Sequence, residues 1–159
     1  MVSYRLILGI ITGIVISFFT VSFFNMSEIL VQLEYETDIL KVMIILVGAN
    51  FKFDLISFFT GTPTVFGFFA PQILACIFIG FFSGTIAKGL KRGFIVSLLV
   101  IVVAFLIWML LSVIAGEDLM ALFQGPQLSA TVGGVLSAIL AAVIGGSVGG
   151  LISGPYEEL

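Results

Sequence analysis

Apolar residues run almost unbroken through four stretches of this chain, about 6–24, 65–87, 94–115 and 131–154. Polar intervals separate them, and only one, 25–64, is long. About 20 apolar residues in a helix cross the ~30 Å hydrocarbon core of a bilayer. The pattern therefore predicts an all-α membrane protein, a four-helix transmembrane bundle forming one membrane domain over residues 1–159.

The last run organises the others. Thr131 to Gly154 carries no charge, and its small residues recur every four positions on two adjacent tracks. One track is Gly133, Ser137, Ala141, Gly145, Gly149 and Ser153; the other is Gly134, Ala138, Ala142, Gly146, Gly150 and Gly154. In water each glycine would cost a helix about 1 kcal/mol relative to alanine. In lipid the backbone has nothing else to bond to and stays helical. The missing side chains then leave a groove that a second helix can enter. A repeat of four exceeds the 3.6 residues of a turn, so the groove drifts around the helix. Gly9 with Gly13, and Gly80 with Gly84, are further small-xxx-small pairs. The first of these is expected to contact the last helix.

The first apolar run starts after Arg5 and resembles a signal sequence in its basic start. It is too long for the usual signal core and no small-residue cleavage site follows, so it is expected to be a retained span. The 25–64 interval gives conflicting signals. Asn25 followed by Glu28 could open an amphipathic helix through a capping box. Val31 to Asp38 alternates with period two, as does Phe51 to Leu55, and both favour strands. Val42 to Val47 is too short to span. The alternation favours a small, β-containing cap on the extracytoplasmic face, with an interfacial helix followed by a re-entrant turn as the other solution. Pro71 is expected to kink the second span or mark its true start. The third span has no glycine within 94–115 and so predicts the most lipid-facing helix, with Trp108 in its outer half. Between the third and fourth spans come Glu117, Asp118 and a short amphipathic run, Leu119, Met120, Leu122 and Phe123.

Composition agrees with a membrane setting. Hydrophobic residues make up 60% of the 159 and charged ones 9%, far from a soluble domain. Mean hydropathy is +1.32. Lys88, Lys91 and Arg92 crowd one short loop on the same side as Arg5, whereas Lys41 and Lys52 lie in the acidic long interval. The positive-inside rule then places both termini and the basic loop in the cytoplasm of a multi-pass cell-membrane protein. A net charge of −3, small and dispersed, argues against nucleic acid as a partner. Three basic residues are fewer than a typical anionic-lipid cluster, so the loop reads first as a topology signal and second as a lipid-headgroup contact.

Candidate chemistry is sparse. The chain has no histidine and one cysteine, which removes intrachain disulfides and leaves zinc, haem or histidine acid–base sites without ligands. No metal, cofactor or catalytic residue is expected, and the chain does not read as an enzyme. Cys76 lies in a span and reads as a small core residue. Glu34, Glu36 and Asp38 read as a polar face rather than a cation site, which needs several converging oxygens. No ionisable group falls inside the four predicted spans, so the best polar candidate for a membrane path is Gln72, beside Pro71.

Four spans with a large first outer loop is similar to the claudin-like architecture, but that family's tryptophan and paired-cysteine signature is missing from 25–64. A second likeness covers Gln72 to Val100 and Leu136 to Gly154. Ile79-Gly80-Phe81-Phe82-Ser83-Gly84, the basic turn Lys88 to Gly93 and the closing Gly145-Gly146-Ser147-Val148-Gly149-Gly150 resemble small glycine-rich, four-span membrane proteins of archaeal type. That resemblance implies a fold and no activity.

The resulting expectation is a small polytopic structural or accessory protein. Its glycine helix would pack with itself, as a homo-oligomer, or with a larger membrane complex in the lipid bilayer. The alternative is a small transporter or channel subunit with a polar path near Gln72.

Overall fold

The computed structural model describes residues 4–118, 120 and 123–154. Helices account for nearly all of it: α1 (Tyr4–Ser17), α2 (Thr20–Phe24), α3 (Met26–Glu34), α4 (Ile39–Gly48), α5 (Leu55–Thr60), α6 (Val65–Phe68), α7 (Pro71–Ala87), α8 (Leu90–Ile114) and α9 (Gly125–Ile152). A 3-10 turn, Ala49–Phe51, follows α4. Leu119 and Leu122 of the amphipathic run lie outside the described residues.

Three stretches are long and apolar enough to cross a membrane: Ile39–Thr60, Leu90–Ile114 and Gln127–Ile152. This differs from the four spans the hydropathy predicts. The first predicted span, 6–24, is broken into α1 and α2, and the second, 65–87, begins in earnest only at Pro71 and gives a helix of 17 residues. Proline at the start of α7 loses no helical bond there, which makes Pro71 the true start rather than a kink. The basic loop is also tighter than its six predicted residues. Lys88 and Gly89, with φ of 53° and 85°, make the turn, and Lys91 and Arg92 already belong to α8. Of the three long stretches α8 is the least buried, at 28% against 33% and 44%, as the absence of glycine from 94–115 predicts.

The expected β-containing cap is a second correction. Among the described residues there is no strand, and 25–64 is built from short helices. Met26, Ile29, Leu30 and Leu33 also satisfy helical spacing, and only that reading buries Ile29 in the core while Val31 and Tyr35 stay exposed. Asn25 is indeed the N-cap residue, but its amide bonds the Glu28 carboxylate rather than closing a reciprocal box. The 51–55 alternation is cut by Asp54, which accepts the N–H groups of Ile56 at 2.9 Å and Ser57 at 3.2 Å and so starts α5. Asp38 starts α4 in the same way, accepting from Leu40 at 2.9 Å.

α9 is the axis. Every residue from Gly133 to Gly150 on its two small-residue tracks is buried. The positions Val132, Leu136, Leu140, Ile144, Val148 and Ile152, also four apart, are exposed. Along its lower half the backbone of α7 lies directly on the tracks. A methyl group added at Gly80 would overlap the Ala142 carbonyl, and one at Gly84 the Gly146 carbonyl. Gly145 and Gly149 meet the carbonyls of Ile77 and Phe81 in turn, so the two helices run parallel. α8 runs antiparallel, with Gly93 and Ser97 against Gly146, and the Gly89 N–H donates to the Gly150 carbonyl at 3.0 Å. α1 packs on the far side of α7 and α8. Gly9 meets Ser83, Ala87 and Val96, and Gly13 meets Ser83 and Val100. The expected contact of this pair with the last helix is therefore made with α7 and α8 instead.

The upper half of the tracks holds something else. Gly134 abuts the Phe51 carbonyl, Ser137 Oγ donates to the Phe53 carbonyl at 2.8 Å, and Gly133 faces Asp54 and Ile56. The chain thus reaches furthest along α9 at Phe53 and is level with Gly133 again by Ile56. Ile39–Thr60 is one apolar stretch by composition but two helices in space, broken at 49–54 against the axis.

We expect Gly84→Leu and Gly146→Leu to destabilise the single chain by about 3 kcal/mol or more, because a side chain there must displace backbone. Leu140→Ala, on the exposed stripe, should cost well under about 1 kcal/mol. Thermal unfolding of detergent-solubilised monomers separates the two classes.

Candidate functional site: a cavity at the broken helix

Two helix breaks meet inside the bundle. In the first, the amides of Phe18 and Phe19 reach back only three residues, to Val15 and Ile16, while the Ser17 and Thr20 hydroxyls bond the carbonyls of Ile14 and Ile16. Such back-bonding and tightened turns bend helices. In the second, α4 ends in its 3-10 turn at Asn50. The Asn50 side chain is 1% exposed. Its Nδ2 donates to the Ser17 carbonyl at 2.9 Å and to the Val47 carbonyl at 3.0 Å, tying one break to the other. Its Oδ1 is buried without a partner, so the amide is held by its donor side alone. The Asn50 carbonyl in turn receives the Cys76 thiol at 3.7 Å. Cys76 is a buried packing residue, as its position in a span predicts.

Above this knot lies a cavity of about 450 Å³, between α4, the end of α8 and the start of α9. Ile44, Gly48 and Phe51 form its floor with Trp108, and Lys52, Glu117, Asp118, Gln127 and Thr131 line its rim. The floor is set by aromatic packing. Phe51 lies 5.9 Å from the Trp108 ring centre and 5.5 Å from that of Phe105. Gly48 leaves room for the indole, since a methyl group there would come 2.5 Å from Trp108 Nε1. The rim is set by chain reversals. Gly116, at φ 77°, turns the chain after α8, and Asp118 accepts the Met120 N–H at 3.0 Å. Lys52 Nζ donates to Gln32 Oε1 at 2.7 Å. The cavity opens at the end of the bundle opposite the Lys88–Gly89 turn.

The residues singled out from sequence fall into three groups. Gly9, Gly13, Gly80, Gly84, Gly134, Ala138, Ala142, Gly145, Gly146, Gly149 and Gly150 are all buried where elements of the bundle cross. Lys88, Lys91 and Arg92 sit together at the other end of the molecule. Gln72 is half-buried in the first turn of α7 and does not line the cavity. The acidic residues of 25–64 act locally, Glu36 pairing with Lys41 at 3.7 Å and Asp38 capping α4. Among the described residues, no three of Asp, Glu and Cys converge as a metal cage.

Sequence reasoning missed Lys52, Trp108, Glu117 and Asp118 as a set. One signal was present. Lys52 and Asp54 are charges within a 22-residue apolar stretch, the kind of residue that marks a functional site in a membrane protein.

Comparison with known proteins finds no match to a family model, a curated protein or a solved structure.

Trp108 is the single tryptophan, so its emission reports on this cavity alone. Gly48→Ala should push the indole from its seat and shift that emission, whereas Gly61→Ala, remote from the cavity, should leave it unchanged. Steady-state fluorescence of the two variants checks this.

Proposed function

We propose that this chain is a small membrane carrier or channel subunit that binds solute in the cavity beside the broken 39–60 helix. The observation that carries the reading is the break itself. Irregular backbone at membrane depth is tolerated where it is buried in protein or lines a water-filled cavity. In transporters, discontinuous helices of this kind commonly form the substrate site. Here the non-helical residues 52–54 rest on the axis helix, and Lys52 faces the cavity. In this reading α1–α2, α7, α8 and α9 each cross the bilayer, and α4–α5 enters from the outer face and returns. The basic turn at Lys88 lies in the cytoplasm with both termini, by the positive-inside rule. The resemblance of the sequence to small glycine-rich, four-span membrane proteins supports that layout.

In this reading the glycine helix serves the chain's own bundle first. Both its tracks are covered by α7, α8 and the 51–56 segment, so they hold the chain's own bundle together. A homo-oligomer or a larger complex would then form through the exposed apolar stripe of α9 or the outer face of α8.

The test is flux of a panel of small ions and polar solutes into proteoliposomes. We expect one class to move, and Lys52→Gln or Asp118→Asn to reduce that flux at least about tenfold. Absence of flux for the whole panel, with the chain purifying instead as a fixed part of a larger complex, would return the accessory role to first place.

A further inference from the structure

We infer that the cavity binds zwitterions: molecules that hold an ammonium and an acidic group a few bonds apart beside a small apolar body. This rests on the solute-binding reading above and names its ligand class. Lys52 and the two carboxylates, Glu117 and Asp118, line one cavity, yet among the described residues Lys52 is not within ion-pair distance of either. The lysine donates to the oxygen of Gln32, whose amide donates in turn to Glu28 at 3.3 Å, so no carboxylate of the cavity pairs with it directly. Asp118 uses one oxygen on a backbone N–H. Opposite charges held apart across one opening complement a ligand that carries both signs, and charge-assisted hydrogen bonds are the stronger kind. They also discriminate. A simple cation meets Lys52 and a simple anion meets the carboxylates, so each is opposed by one side of the rim.

The floor selects further. Trp108, Phe51 and Ile44 offer apolar surface for a hydrocarbon body, and an aromatic face also attracts an ammonium. A volume of about 450 Å³ falls at the small end of the usual range for ligand pockets. It accommodates a free amino acid or a phospholipid headgroup. Both supply the same chemistry, and the lipid composition of the assay separates them.

The experiment uses the full chain in nanodiscs, read through Trp108 emission. In phosphatidylglycerol discs, whose headgroup lacks an ammonium, the probes are L-leucine, leucinamide and N-acetyl-leucine. Leucine should bind saturably, and each single-charge analogue at least about tenfold more weakly. Lys52→Gln should remove the preference for leucine over leucinamide, and the pair Glu117→Gln with Asp118→Asn the preference over N-acetyl-leucine. All three positions are exposed, so the fold should survive, and circular dichroism verifies it. If the natural source is lipid, phosphatidylethanolamine added to the discs will compete with leucine and be retained by the protein in native mass spectrometry. If it is a free solute, leucine binding will not respond to that lipid.

Equal responses to all three probes, or a preference that survives both sets of charge variants, would overturn the inference. So would a failure to bind either leucine or phosphatidylethanolamine. Zwitterion binding without flux would leave this site standing and remove transport. Flux of a simple cation without any zwitterion preference would do the reverse.

Discussion

The constraint on which this molecule depends is that a peptide group inside a membrane must find its hydrogen-bond partner within the protein. Two helices here are broken inside the bundle. Each break exposes carbonyls, and each is closed by a side chain from elsewhere. Asn50 reaches the Ser17 carbonyl across 33 positions of sequence, and Ser137 reaches the Phe53 carbonyl across 84. Without these two bonds the first and second breaks would be unpaired polar groups in an apolar core, at roughly 1–3 kcal/mol each. With them, the breaks become fixed points that position Lys52, Asp54 and the aromatic floor.

The glycine ladder makes those long-range bonds reachable. Only where Cβ atoms are missing can the Phe51 carbonyl lie against Gly134, or the Gly146 carbonyl against Gly84 and Gly93. A four-residue repeat advances about 40° more than one turn, since each residue turns about 100°. The tracks therefore wind, meeting the broken segment near Gly133 and α7 with α8 near Gly149. One pattern serves two neighbours at different heights. The remaining positions of the same repeat, Leu140 and Ile144 among them, are left exposed on the outside of the bundle.

Much of this was legible in the sequence. The helical class, the burial of the small-residue tracks and the packing of Cys76 in the core follow from residue type and spacing. The 25–64 interval was less so. Met26, Ile29, Leu30 and Leu33 fit a helix while Val31, Leu33 and Tyr35 fit a strand, and tertiary burial of Ile29 decides between them. The break at 49–54 hid the apolar stretch around it, because Asn50, Lys52 and Asp54 divide it into pieces that each look too short to matter. The cavity was out of reach for a different reason. Its rim comes from Lys52, Glu117 and Gln127, and no local pattern joins segments that meet only once α4, α8 and α9 have packed.

In the proposed arrangement Ile39–Thr60 enters the bundle and returns to the end it came from. Thiol labelling with a membrane-impermeant reagent tests it most directly, using single cysteines at Ile39, Lys52 and Thr62 in a Cys76→Ser background in sealed vesicles. The account predicts that Ile39→Cys and Thr62→Cys react from the same face of the membrane. Lys52→Cys should react from that face as well, more slowly, through the cavity. Labelling of Ile39→Cys and Thr62→Cys from opposite faces would mean that the stretch crosses the bilayer, and would contradict it.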